Sequence, residues 1–179
     1  SRYSSLKKIK SDYDYIINLS GNINHKNRKE TIKTHYLGTK NLINFFEKKK
    51  FNLFIQMGSS LEYGDLNSPH LEKSVAKAKS NYGKSKLKAT KYIEKRSKIK
   101  KFSFMVLRLY QIYGPYQKID RLIPYVINSS IRNKSFKCTD GSQLRDFLYV
   151  DDFTLLILKI LKKQSIKSGI FNVGFGKPQ

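Results

Sequence analysis

Apolar residues in this chain gather in five short runs, separated by stretches in which they recur every three or four positions. The runs are YDYIINL (13–19), FNLFIQM (51–57), FSFMVLRL (102–109), FLYV (147–150) and GIFNV (169–173). Continuous Ile, Val, Phe and Leu over so few positions predicts strands, the longer ones buried on both faces as in a parallel sheet. Between the first two runs, residues 28–50 place Ile32, Tyr36, Thr39, Leu42, Ile43 and Phe46 at helical spacing. That stretch ends in lysines that suit the helix dipole. Residues 80–98 predict a second helix capped by Ser80, and residues 151–163 a third opened by Asp151 or Asp152. Alternating strands and helices predict an α/β fold with a doubly wound, mostly parallel sheet and right-handed crossovers.

In open sheets of this kind, ligands bind beyond the carboxyl ends of the strands. Polar, small-residue segments stand at three of those ends: SGN (20–22), GSS (58–60) and YQIYGP (110–115). Their shared placement points to one site more strongly than any of them does alone.

With 179 residues the chain is long enough to bury a sizeable core. Its 36 Lys and Arg against 13 Asp and Glu give a formal charge of +23. The lysines are dispersed rather than clustered, which reads as solvated faces, and nucleic acid is disfavoured as a partner. The same positive field suits an anionic small molecule. Cys138 is the lone cysteine, so no intramolecular disulfide can form; it reads as a small apolar strand residue. His25, His35 and His70 lack metal-ligand spacing, and no metal is expected. No apolar run approaches the ~20 residues of a bilayer span. The stretch SRYSSLKKIKSDYDY has no apolar core of a signal peptide, so a cytoplasmic location is expected.

The segment NYGKSK (81–86) sets Tyr82 and Lys86 one helical turn apart. Residues i and i+4 share a helix face, and an ammonium beside a phenol favours the phenolate. A tyrosine so placed can exchange a proton near neutral pH. In a lysine-rich chain the pair also fits a plain surface face, so by itself it does not decide the chemistry.

Taken in order, IINLSGN, HYLGTKNLINFF, IQMGSSLEYG, SNYGKSK, LRLYQIYGP, QLRDFLYVDD and GIFNVGFGKP resemble the extended short-chain dehydrogenases/reductases. The resemblance is to the NAD-dependent epimerases and dehydratases that act on nucleotide sugars. It implies a Rossmann-like fold across 1–179, with about 111–150 contributing to a smaller substrate lobe. It further implies NAD or NADP as cofactor, a nucleotide-sugar substrate and a homodimer for the full-length protein. Tyr82 becomes the catalytic acid/base, Lys86 the residue that holds the nicotinamide ribose, and Ser59 the one that orients the reacting sugar oxygen. Ser60 is the alternative to Ser59 and a substrate contact; a turn residue bonding backbone fits it equally. Leu19, Ser20, Gly21, His35 and Tyr110 fall at cofactor positions, Gln111 and Arg145 at substrate positions. An Arg fork suits a diphosphate, although a pair with Asp140 or Asp146 would also occupy Arg145.

Three departures from the family pattern matter. His35 stands where an asparagine is usual, and a structural histidine fits that position as well as a cofactor contact does. After Ser59 come Ser60 and Leu61 rather than the acids a 4,6-dehydratase needs, and Glu62 is displaced by one. Epimerase or 4-keto reductase chemistry is therefore expected, with an inactive nucleotide-binding member as the alternative and a 4,6-dehydratase as a less favoured one. No glycine-rich G-x-x-G-x-x-G turn occurs, and GFG at 174–176 is followed by no helix. The first strand then corresponds to the family's fourth, and the chain reads as the middle of a longer protein lacking roughly 60 residues or more upstream. On that reading the 179 residues alone are expected to be inactive, to bind NAD(P) negligibly, and either to self-associate along an exposed YIINL edge or to remain partly unfolded.

Overall fold

The computed structural model describes residues 3–9, 13–22, 25–163, 165 and 167–179. They form two compact units, one of residues 1–109 with 163–173 and one of residues 110–162 with 174–179. The predicted stretch 111–150 lies within the second.

The first unit is built on a four-stranded, wholly parallel sheet in the order β1-β2-β3-β6. Its strands are β1 (Tyr15–Asn18), β2 (Leu53–Ser59), β3 (Phe104–Leu109) and β6 (Gly169–Val173). All seven residues of β2 are buried, which accounts for its unbroken apolar run, since a central parallel strand is covered on both faces. Helix α2 (Arg28–Ile32), a π-helical turn (Lys33–Leu37) and α3 (Gly38–Phe46) lead from β1 to β2, and α4 (Asn81–Lys100) leads from β2 to β3. A short α1 (Tyr3–Leu6) precedes β1. Ile16, Phe54, Phe104 and Val106 from the sheet pack with Ile43, Phe46 and Ile93 from the helices as the core. Arg96 of α4 clasps Glu47 at the end of α3 through two hydrogen bonds of 2.8 and 2.5 Å.

In the second unit, β4 (Gln111–Tyr113) and β5 (Phe147–Tyr149) pair in parallel. Helices α5 (Leu122–Ile131) and α6 (Val150–Leu161) complete it.

The observed elements correct several expectations. The first three strands begin two residues later than predicted; ahead of the β2 ladder, Asp14 O accepts from both Asn52 N–H and Leu53 N–H. At its other end β2 continues through Gly58 and Ser59, whose backbones pair with Arg108 and Leu109. The helix predicted over 28–50 is three segments, with Gly38 N–H bonding Lys33 O five residues back. Helix α6 begins at Val150, so Asp151 and Asp152 lie in its first turn and neither caps it. Strand β4 and helix α5 were not anticipated. Cys138 is exposed and lies outside any strand, contrary to its reading as an apolar strand residue. Among the described residues no helix is long and apolar enough to cross a membrane.

Candidate active site

Helix α4 starts as its sequence dictates. Ser80 is extended, and its Oγ accepts from Gly83 N–H at 3.0 Å, satisfying one of the free donors of the first turn. Gly83 has a second role. A Cβ there would lie 2.3 Å from Leu61 O, so only glycine lets the first turn of α4 press onto the turn that follows β2. Glycine inside a helix costs ~1 kcal/mol relative to alanine. Here that cost secures a close approach between the turn carrying Tyr82 and Lys86 and the turn carrying Ser59.

Lys86 is 5% exposed. Its Nζ donates to Met57 O at 2.7 Å, two residues before Ser59 at the carboxyl end of β2. It lies 5.7 Å from the centre of the Tyr82 ring, within cation–π range. Burial lowers its pKa from 10.5 to about 8, and the negative charge of Glu62 opposes that fall. At pH 7 Lys86 is therefore an ammonium, as the sequence reading of the Tyr82–Lys86 pair requires.

Met57 O also accepts from Gln56 Nε2 at 2.9 Å. Gln56 Oε1 accepts in turn from Asn18 Nδ2 at 2.8 Å, and Asn18 Oδ1 receives both Ser20 N–H and Ser20 Oγ, at 3.1 and 2.6 Å. An unbroken chain of hydrogen bonds thus runs from the Leu19–Gly21 turn beyond β1 to the Lys86 ammonium. Leu19 itself is 69% exposed.

Tyr82 is half-buried between two imidazoles. The His25 ring stacks on it at 4.1 Å between centroids, and the His35 ring meets it edge-on at 4.9 Å. Both histidines turn their Nε2 toward Asn22 O, at 2.5 and 3.1 Å. His35 is 3% exposed, and burial, followed by the charge of Lys86, lowers its pKa to about 4, so the ring is neutral. Its Nδ1 is buried and has no protein partner. The π-helical turn carries His35 to this place; insertions of this kind are frequent at functional sites.

Ser59 is extended and caps the 3-10 turn Ser60–Glu62, with Oγ accepting from Leu61 N–H at 3.2 Å. The backbone-capping role considered for Ser60 therefore falls to Ser59, and Ser60 is half-buried beside it. Glu62 is 0% exposed. One of its oxygens accepts from Ser59 N–H at 3.0 Å, the other from Thr90 Oγ1 at 2.9 Å and Arg108 Nε at 3.2 Å. Arg108 stacks over Tyr63 at 4.5 Å; although burial works to lower its pKa, Glu62 and Tyr63 hold it above the ordinary value.

Ser59, Tyr82, Lys86, His35 and the Leu19–Gly21 turn thus belong to the first unit, and Tyr110, Gln111 and Arg145 to the second. Gln111 is exposed on β4, its backbone N–H bonded to Asp146 O. Arg145 is exposed and contacts neither acid considered for it. Its guanidinium donates to Leu144 O at 3.1 Å and Gln143 Oε1 at 3.3 Å. Asp140 is taken by Ser142, and Asp146 by Phe175 N–H and Gly176 N–H, at 2.6 and 2.8 Å.

Sequence reasoning missed His25, Glu62 as an anchor, and Arg108. A signal existed for Arg108, a single charge inside the apolar run of β3 that needs a partner once the strand is buried. None existed for His25 or Glu62, whose surroundings depend on tertiary packing.

Residues 2–174 match the NAD dependent epimerase/dehydratase family. A dTDP-D-glucose 4,6-dehydratase of Dictyostelium discoideum is 29% identical over 184 residues, covering 92% of this chain and 42% of that protein. Among solved structures, UDP-glucuronic acid 4-epimerase from Bacillus cereus, in complex with UDP-glucuronic acid and NAD, superposes with a TM-score of 0.85. It is 23% identical, and the match covers 99% of this chain and 57% of that one. RMD from Pseudomonas aeruginosa, complexed with NADPH, gives a TM-score of 0.86 at 23% identity, covering 99% and 66%. The chain thus spans between two fifths and two thirds of the length of these proteins.

Proposed function

Because this chain belongs to the NAD dependent epimerase/dehydratase family, we propose that it carries the catalytic part of an NAD(P)-dependent nucleotide-sugar epimerase or 4-keto reductase. One observation carries the reading: Gly83 admits the Tyr82–Lys86 turn onto the Ser59–Glu62 turn, with the Lys86 ammonium bonded to β2. Three groups that have no structural need of one another are held together by a contact that tolerates no side chain.

The residues present fit the nicotinamide-ribose end of the cofactor. A buried ammonium, the Ser20–Gly21 turn beyond β1 and the unpartnered His35 Nδ1 lie at the carboxyl ends of the strands. No glycine-rich phosphate turn occurs in the 179 residues, so none is assigned to the pyrophosphate. When bound, the nicotinamide exchanges a hydride with the sugar carbon. Tyr82 takes the hydroxyl proton as the carbonyl forms and returns it on the reverse step. Lys86 favours the phenolate and binds the ribose hydroxyls, and Ser59 Oγ orients the sugar oxygen without competing for its proton. Gln111 and Arg145 are the proposed substrate contacts, Tyr110 a cofactor contact, and the protein's working form a homodimer.

The inward turn of Glu62 favours epimerase or reductase over dehydratase chemistry. Eliminating water needs a second acid and a base at the sugar, and the Glu62 carboxylate beside Ser59 is engaged with Ser59, Thr90 and Arg108. Incubation of the intact protein with UDP-, dTDP- and CDP-hexoses and NAD(P), followed by mass spectrometry, tests this. The expected product is a C4 epimer, or a C4 alcohol from a 4-keto sugar. A product lighter by one water would reassign the protein as a dehydratase.

A further inference from the structure

A carboxylate sealed from solvent costs several kcal/mol unless its surroundings return that energy, and a capping-box acid gains nothing from such depth. Ordinary capping boxes lie at the surface. Glu62 is instead completely buried, and glycine at 58 keeps its place open: a Cβ there would lie 2.8 Å from Glu62 Oε1 and 2.9 Å from Val106 Cγ1. Each bond it makes reaches a different element. Oε1 holds the peptide N–H of Ser59 at the end of β2. Oε2 holds the hydroxyl of Thr90, one turn beyond Lys86 on α4, and Nε of Arg108 on β3.

We infer that Glu62 is a positioning residue shared by the two halves of the reaction centre, fixing Ser59 against the Lys86 helix and serving as the buried counter-charge of Lys86. This rests on the reading of Ser59, Tyr82 and Lys86 given above. Among the described residues, Lys86 interacts with Tyr82 on its own helix, the neutral His35 on the π-helical turn and Glu62 on the turn after β2. Of these, Glu62 is the anion. Arg108, the other cation on Glu62, stands on β3 and is further held by the Tyr63 ring. Glu62 therefore does not touch substrate. It acts by keeping the lysine charged and the serine in place.

The two actions separate experimentally. In the intact protein labelled with 13Cε-lysine, the Lys86 resonance is identified by its loss in Lys86→Met, and its titration midpoint is read by NMR without any substrate. In Glu62→Gln the midpoint falls below about 8 by about one unit, a tenfold loss of ammonium at a given pH. A folded Glu62→Gln protein with an unchanged midpoint overturns the counter-charge role, since lost stability alone would not move it. Should Arg108, left unpaired, prevent folding, Glu62→Gln combined with Arg108→Gln removes both charges of the pair. Because loss of Arg108 itself raises the lysine midpoint, that protein is compared with Arg108→Gln alone, and a midpoint no lower than in Arg108→Gln overturns the counter-charge role. Glu62→Asp keeps the charge but shortens the reach. Its Lys86 midpoint stays in place while kcat on the active nucleotide sugar drops about tenfold with little change in KM. Unchanged kcat overturns the positioning of Ser59. If the unsubstituted protein turns over none of the UDP-, dTDP- or CDP-hexoses, the functional reading fails, and the Lys86 titration still decides the charge role by itself.

Discussion

Lys86 in the first unit and Arg145 in the second are both cations proposed to meet a ligand, and their surroundings could hardly differ more. Lys86 is buried, bonded to a strand carbonyl and linked by hydrogen bonds to the Ser20 turn. Arg145 lies exposed, its guanidinium resting only on its immediate chain neighbours. Preorganised groups act without reorganisation at the moment of reaction, whereas a solvated fork can follow the shape of its ligand. Under the proposed function, the difference teaches that the groups assigned to the chemical step would be preorganised in the first unit's core, while those assigned to recognition in the second would be left adaptable. Substitutions in the first should change rates and folding; those in the second should change affinity.

The largest test of that contrast is Tyr82→Phe in the intact protein. It should lower kcat by roughly three orders of magnitude with little change in nucleotide-sugar binding, because the hydroxyl acts on the proton in flight. Steady-state kinetics alongside calorimetry decides it, and near-normal turnover would remove Tyr82 from the mechanism.

His35 sharpens the contrast through pH. Its pKa in the folded protein is about 4 against an ordinary 6.5. Below pH 6.5 the unfolded chain therefore takes up a proton that the folded one refuses. Stability is lost as the pH falls from 6.5 toward 4, by up to about 3 kcal/mol. Urea unfolding across that range should show the loss, and His35→Gln should flatten it. An equal slope in both proteins would mean that other groups carry the acid sensitivity.

Gly83→Ala is expected to be smaller in effect but contrary in sign to the usual rule. Alanine ordinarily stabilises a helix interior, yet here its Cβ would meet Leu61 O, so a net loss of ~1–3 kcal/mol should appear in denaturant unfolding. A stabilised variant would show that α4 can retreat without cost.

In the second unit Arg145→Lys keeps the charge and removes the fork. Nucleotide-sugar affinity should fall by about 1 kcal/mol with stability unchanged. A loss of stability with full affinity would instead give Arg145 a structural role.

The same contrast governs what could be read from the sequence. Strand β6 was delimited residue for residue, and α4 with its Ser80 cap began where expected, because periodicity and capping are local. The second unit was read unevenly: β5 and α6 fall within two residues of their predicted bounds, whereas β4 and α5 were not anticipated. Helix α5 carries Pro124 in its first turn, which is tolerated there but looks like a breaker in sequence. Strand β4 is three residues long and begins with an exposed glutamine. In the site, Ser59, Tyr82 and Lys86 were proposed from the family resemblance, with the one-turn spacing of Tyr82 and Lys86 as the part that is legible locally. The stacking of His25, the π-helical turn under His35 and the burial of Glu62 depend on tertiary packing, which leaves no local mark.

Immediately after β6, Gly174 sits against the Asp146 carboxylate so closely that a Cβ would come within 2.6 Å of it. The next two residues donate their N–H groups to that carboxylate, and Gln179 exchanges backbone hydrogen bonds with Arg145 at 2.8 and 2.9 Å. The last six residues thus act as a splint behind the arginine, set from a part of the sequence that shares none of its chemistry. If Arg145 meets an anionic ligand as proposed, that grip could be retuned by rewriting the splint alone, keeping the arginine and altering only the angle at which it is offered.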